Sequence, residues 1–175
     1  GGERTCYSAG GSTLAIQAAL AILRAQGCKT IAAGRCSHRS LVSSAALLGL
    51  EVKWLYPKEY PSADVDCSKE ALSGADALFL TNIDYYGGTC RASDPGIPVV
   101  VDNAHGSYLK FVSKAGSGRE YLHPMEFGFP VISAESAHKT LPALTGAAYL
   151  HFSKGADFSR AKEMTALFGS TSPSY

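Results

Sequence analysis

Pro98-Val99-Val100-Val101-Asp102-Asn103-Ala104-His105-Gly106 is the stretch whose reading decides the fold. A short apolar run bounded by turn-forming residues reads as a buried strand, and a carboxylate closes it. A similar run, Ala77-Leu78-Phe79-Leu80-Thr81, lies upstream. Another, from Phe129 to Ala134, leads into the small-residue stretch Ser136-Ala137-His138-Lys139, read as a loop. Between and around these runs the pattern turns helical, so the chain alternates strand and helix. That alternation predicts an α/β, three-layer α/β/α architecture on a mostly parallel sheet.

Further strands are expected over residues 30–33, 51–56 and 147–152, and helices over 12–26, 38–48, 67–73 and 157–168. Gly27 and Gly49 stop the first two helices, and Pro57 ends the strand before it. A Gly- and Ser-containing loop is expected over 113–120. In parallel sheets of this kind, ligands bind beyond the carboxyl ends of the strands. Thr81 and Asn82, Asp102 and His105, and Ser133 through Lys139 all fall there.

The 175 residues suit one domain with a real core, with 46% hydrophobic and 18% charged residues. A net charge of +1 without like-charge runs gives no reason to expect nucleic acid as a partner. The apolar run from Leu14 to Leu23 is too short for a membrane span and is interrupted by Gln17. Five scattered cysteines without a Cys-x-x-Cys pair point to reduced thiols in a cytoplasmic protein rather than a disulfide frame or a metal site. Both ends read as cut, which makes the expected unit a fragment of a larger polypeptide.

An aspartate closing a buried strand and a lysine after a later strand are the two groups that pyridoxal phosphate chemistry needs. The amine holds the aldehyde as a Schiff base, and the carboxylate keeps the pyridine nitrogen protonated. Lys139, among small and apolar neighbours, is expected to lose its charge readily, as an amine nucleophile must. Each supporting motif has a plainer reading beside this one. Gly10-Gly11-Ser12-Thr13 suits a phosphate at a helix start or serves as an ordinary N-cap. His38, within Arg35-Cys36-Ser37-His38-Arg39-Ser40, either stacks on a flat ring or begins a helix structurally. Asp102 pairs with a ring nitrogen, caps a helix or joins a salt bridge; His105 either orients it or touches the ring. Ser170-Thr171-Ser172-Pro173 binds phosphate or closes the preceding helix.

Taken in order, Gly11-Ser12-Thr13, the Arg35–Ser40 segment, Val101-Asp102-Asn103-Ala104-His105-Gly106, Ser136-Ala137-His138-Lys139 and Ser170-Thr171-Ser172-Pro173 resemble the Orn/Lys/Arg decarboxylase family. The likeness is to its major, cofactor-binding domain, within the fold-type-I (aspartate-aminotransferase-like) enzymes, and it covers nearly the whole chain. It implies that residues 1–175 are part of that domain, without the carboxy-terminal substrate-binding domain. It further implies decarboxylation of a basic amino acid (lysine, ornithine or arginine) through a Schiff base on Lys139.

By the same resemblance Asp102 contacts the pyridine nitrogen and His38 the ring face, with Ala104 and His105 in the adjoining turn. Gly11, Ser12, Thr13 and Ser136 hold the phosphate, and His138 adds phosphate contacts or proton transfer. Ser170 and Thr171 reach the site across a homodimer interface, so the active site is shared. The chain departs from the family at Asn103, where glutamate is common, and at Gly146, where many members carry glutamine. Residues 82–98 are also compact. Two other functions fit the same residues: an aminotransferase or other lyase of this fold, and a non-catalytic dimerisation or binding module.

Overall fold

A computed structural model describes residues 2–57, 62–90, 93–114 and 122–172. Seven strands form one sheet: β1 (Gly2–Ser8), β2 (Thr30–Gly34), β3 (Glu51–Leu55), β4 (Ala77–Thr81), β5 (Val99–Asp102), β6 (Val131–Ser136) and β7 (Ala148–Ser153). Their order across the sheet is β1-β7-β6-β5-β4-β2-β3. β7 runs antiparallel to both β1 and β6, while the remaining pairings are parallel. The sheet is therefore parallel but for one reversed strand, and the mixed α/β class expected from the sequence is what forms.

Period-two alternation in the strands separates two cores. Ile31, Ala33, Phe79, Val100, Ile132, Leu150 and Phe152 face α1 (Gly11–Ala25), with α2 (Arg39–Leu48) and α5 (Ala161–Phe168) packed beside it. Ala32, Leu78, Leu80, Val99, Val101 and Val131 point to the other face, onto Val65, Leu72, Met125 and Phe129. A short 3-10 turn at Pro124–Glu126 lies there, tied by a Lys110–Glu126 ion pair to α3 (Leu109–Lys114). α1 is buried almost all round, from Leu14 to Leu23, because Ala, Leu and Ile fill both its sheet side and its helix side.

Four expectations need correction. Residues 67–73 form turns rather than a helix, since Asp66 Oδ1 and Ser68 Oγ accept the backbone N–H groups of Ser68 and Ala71. Residues 113 and 114 end α3 instead of opening a loop, and 115–120 lie outside the described residues. β1 has no counterpart among the expected strands. Ser136-Ala137-His138-Lys139 is not a loop: α4 (Ala137–Thr140) is a helical turn directly continuing β6.

Candidate active site

The carboxyl ends of β2, β4, β5 and β6 deliver one set of side chains to a common cavity beside the start of α1. Ser12, Cys36, His38, Thr81, Ile83, Asp84, Tyr85, Asp102, Ala104, His105 and Lys139 line it. Seven residues singled out in the sequence thus meet in one place: Ser12, His38, Thr81, Asp102, Ala104, His105 and Lys139.

Asp102 is buried, and Oδ1 accepts from the Ala104 N–H at 3.1 Å. No helix starts at Asp102, so the capping reading falls away. Among the described residues its second oxygen has no hydrogen-bond partner. Burial raises its pKa against the opposing pull of the Ala104 N–H and of His38, Lys139 and His105.

Lys139 is exposed on α4, with Nζ 3.2 Å from His105 Nε2. The small, apolar surroundings expected for this amine are absent; a second nitrogen base stands beside it instead. His105 itself is held below the usual imidazole pKa, first by partial burial and then by the Lys139 charge. Its ring lies tilted against Tyr85, with centroids 5.8 Å apart.

His38 answers both readings given for it. It is the N-cap of α2, with Nδ1 accepting the Ser40 N–H at 3.2 Å, and it also lines the cavity. Because Nδ1 is an acceptor, the ring proton sits on Nε2. The Gly-Gly-Ser-Thr turn does cap α1, through Gly10 and not through a hydroxyl. Gly10 occupies the cap position without a side-chain hydrogen bond, and Ser12 turns to the cavity. Gly11, at φ +71°, donates its N–H to Gly146 O at 2.8 Å. Gly146 has φ +95°, and a Cβ there would meet Ala9 O at 2.4 Å. That contact explains glycine where the family often carries glutamine.

The remaining expected residues lie apart. Thr13 and Ser170 line a second cavity with Ser8, Gly10 and Lys162. Ser136 is buried, its Oγ 3.2 Å from His138 Nδ1, which also lies 3.2 Å from Ala147 O. Thr171 is exposed, and Pro173 lies outside the described residues.

Several lining residues had no assigned role in the sequence. Thr81 Oγ1 is buried without a hydrogen bond of ordinary geometry, and so is Asp84 Oδ2. Asp84 Oδ1 accepts the N–H groups of Tyr86 and Gly88 at 2.8 Å each, a turn that Asp-x-x-x-Gly composition could have signalled. Between them Ile83 has φ +59°, a strained conformation for a β-branched residue that nothing in its type announces. Among the described residues no cluster suits a metal ion.

The model of the Orn/Lys/Arg decarboxylase major domain matches residues 78–175, more than half of the chain. The chain belongs to the Orn/Lys/Arg decarboxylase family. A relative in Bacillus subtilis (strain 168), the uncharacterized protein YaaO, is 32% identical in an alignment 165 residues long that covers 83% of this chain and 33% of that protein. The chain therefore spans about a third of the length of the curated relative it matches.

Among solved structures, lysine decarboxylase A from Pseudomonas aeruginosa superposes with a TM-score of 0.71 at 19% identity, covering 100% of this chain and 28% of that one. The sphingosine-1-phosphate lyase of Burkholderia pseudomallei gives 0.71 at 17% identity, covering 86% of this chain and 38% of that one. Alanine aminotransferase from Pyrococcus furiosus gives 0.65 at 14%, over 94% of this chain and 44% of that one. These likenesses are of fold.

Decarboxylases of this family depend on pyridoxal phosphate. The residues in the cavity suit that cofactor chemically. A buried carboxylate and an amine line the same cavity, and a buried hydroxyl at Thr81 is left without a normal partner.

Proposed function

We propose that this decarboxylase-family chain holds pyridoxal phosphate between Asp102 and Lys139 and takes part in decarboxylation of a basic amino acid: lysine, ornithine or arginine. The observation that carries the reading is the shared cavity of Ser12, His38, Asp102, His105 and Lys139. The cofactor, when bound, supplies an electron-accepting ring for negative charge at the amino acid's α-carbon.

The chain's own groups have distinct tasks in this reading. Asp102 offers its unpartnered oxygen to a ring N–H and gains there the donor that its burial demands. His38, held by Ser40 and α2, presents a fixed imidazole to a flat ring. Lys139 is the amine for the aldehyde, and neutral His105 accepts a hydrogen bond or a proton from its Nζ. Ser12, at the start of α1, contributes a hydroxyl and a helix N-terminus to an anion. Gly11, Thr13, Ser136 and His138 remain assigned to the phosphate side, and Ser170 and Thr171 to the neighbouring subunit of a homodimer.

Residues 1–175 are proposed as the cofactor-binding part of a larger catalytic unit. The coverage of about a third of YaaO and 28% of a lysine decarboxylase supports that division.

The test is borohydride trapping of pyridoxal phosphate on the full-length protein, followed by peptide mass spectrometry, with carbon dioxide release measured from the three basic amino acids. One cofactor is expected on Lys139 and none in Lys139→Ala. Label on another lysine, or an oxo-acid product without carbon dioxide, overturns the reading.

A further inference from the structure

We propose that Asn103 and Glu135 are positioning residues: a buried amide–carboxylate brace that sets the spacing of the Asp102 and Lys139 arms, deepening the cofactor-site reading above. Asn103 directly follows Asp102, and Glu135 stands four residues before Lys139 at the end of β6. Asn103 Nδ2 donates to Glu135 Oε1 at 3.1 Å, while Asn103 Oδ1 accepts from Asn82 Nδ2 at 2.9 Å. One side chain therefore ties together the ends of β4, β5 and β6. These are the three strand ends that carry Thr81, Asp102 and Lys139.

The brace is built rather than incidental. Asn103 and Glu135 are 0% and 2% exposed. Glu135 Oε1 also accepts from His123 Nε2 at 2.8 Å and Ser133 Oγ at 3.2 Å. His123 Nδ1 takes the Met125 N–H, so its proton is fixed on Nε2, facing the carboxylate. His151 Nε2 lies 3.7 Å from Glu135 Oε2, with its own Nδ1 on Thr5 Oγ1 at 2.8 Å. Gly106 makes room for the brace: a Cβ there would fall 2.0 Å from Asn103 Oδ1. A buried carboxylate with three donors on one oxygen is costly to assemble and hard to displace. It holds its partners at fixed separation, as a two-ended site requires.

The experiment alters the contact from the Asn103 side. Asn103→Asp sets two carboxylates together. Asn103→Ala removes the donor without adding charge, and Glu135 Oε1 keeps His123 and Ser133. Acetic anhydride labelling of Lys139 in the cofactor-free full-length protein is the primary readout, with Lys53 on β3 as internal reference. In the active protein, kcat and KM are measured as well.

Asn103→Ala and Asn103→Asp are expected to change Lys139 labelling about threefold or more with Lys53 constant. They are also expected to lower kcat about tenfold with little change in KM. Unchanged labelling in Asn103→Ala overturns the brace. If Asn103→Asp does not fold, Asn103→Ala decides alone: altered Lys139 labelling with Lys53 constant supports the brace, and wild-type labelling sinks it. Because the labelling needs no cofactor, a protein that fails to bind pyridoxal phosphate refutes the functional reading while leaving this test intact.

Discussion

Lys139 Nζ and His105 Nε2 lie 3.2 Å apart, although their side chains come from different strand ends, α4 after β6 and the turn after β5. With its pKa held down by burial and by the lysine charge, His105 is neutral around pH 7 and can accept from the amine. Protonating it removes that acceptor and places two cations side by side.

Turnover is therefore expected to fall as pH drops below the ordinary imidazole range, about 6.5 and lower. His105→Gln keeps an amide at the position without titrating, so its acid limb should flatten while its plateau falls. A pH–rate profile with the same acid limb in both proteins would remove His105 from the proton path.

Asp102 carries the opposite kind of cost. Its raised pKa means the folded state binds its proton more tightly than the unfolded chain, so stability is lost as pH rises through the window above the usual carboxylate value. Asp102→Asn removes that charge. In cofactor-free protein at neutral pH it should gain about 1–3 kcal/mol of stability in denaturant titrations, while cofactor affinity drops sharply. Loss of stability in the variant would mean that the carboxylate already has its partner.

Glu135 obeys the reverse sign. Burial pushes its pKa up, but the His123 hydrogen bond and the nearby His123 and His151 outweigh it, leaving a net lowering. Its contribution is present above the unfolded carboxylate pKa and disappears as pH falls through the depressed folded value. Glu135→Gln should therefore flatten the acid arm of the stability curve. An acid-unfolding midpoint identical to wild type is the result that contradicts this.

Gly106→Ala tests the space beneath the turn. With Asn103 Oδ1 only 2.0 Å and Leu109 Cδ1 3.0 Å from the new methyl, the substitution forces the amide or the turn to move. About 1–3 kcal/mol of destabilisation is expected by calorimetry, in the range for overpacked sites. A wild-type melting curve would show that the turn yields freely.

The parallel core was legible because Leu78-Phe79-Leu80 and Val99-Val100-Val101 are continuous apolar runs, as strands buried on both faces must be. β1 was not, since Glu3, Arg4 and Thr5 give it a half-exposed edge whose one partner, β7, is remote in sequence. The amine and acid of the site could be read from their places at strand ends. The His123–Glu135–His151 cluster could not, because each member comes from a different element; the one available sign was a carboxylate directly after the run Val131-Ile132-Ser133-Ala134. Thr13 and Ser170 were legible as hydroxyls beside glycines, but which cavity they line depends on how α1 and α5 pack.

The reversed strand has a consequence for biosynthesis. β1 leaves the ribosome before the other six strands described, yet the strand that hydrogen-bonds it, β7, is the last of the seven to follow. Until then the opening strand has an unsatisfied edge, and Gly11 lacks the Gly146 carbonyl that anchors the helix start. Anchoring of the α1 start thus waits for β7, and the nascent chain depends on protection from wrong strand partners until it happens.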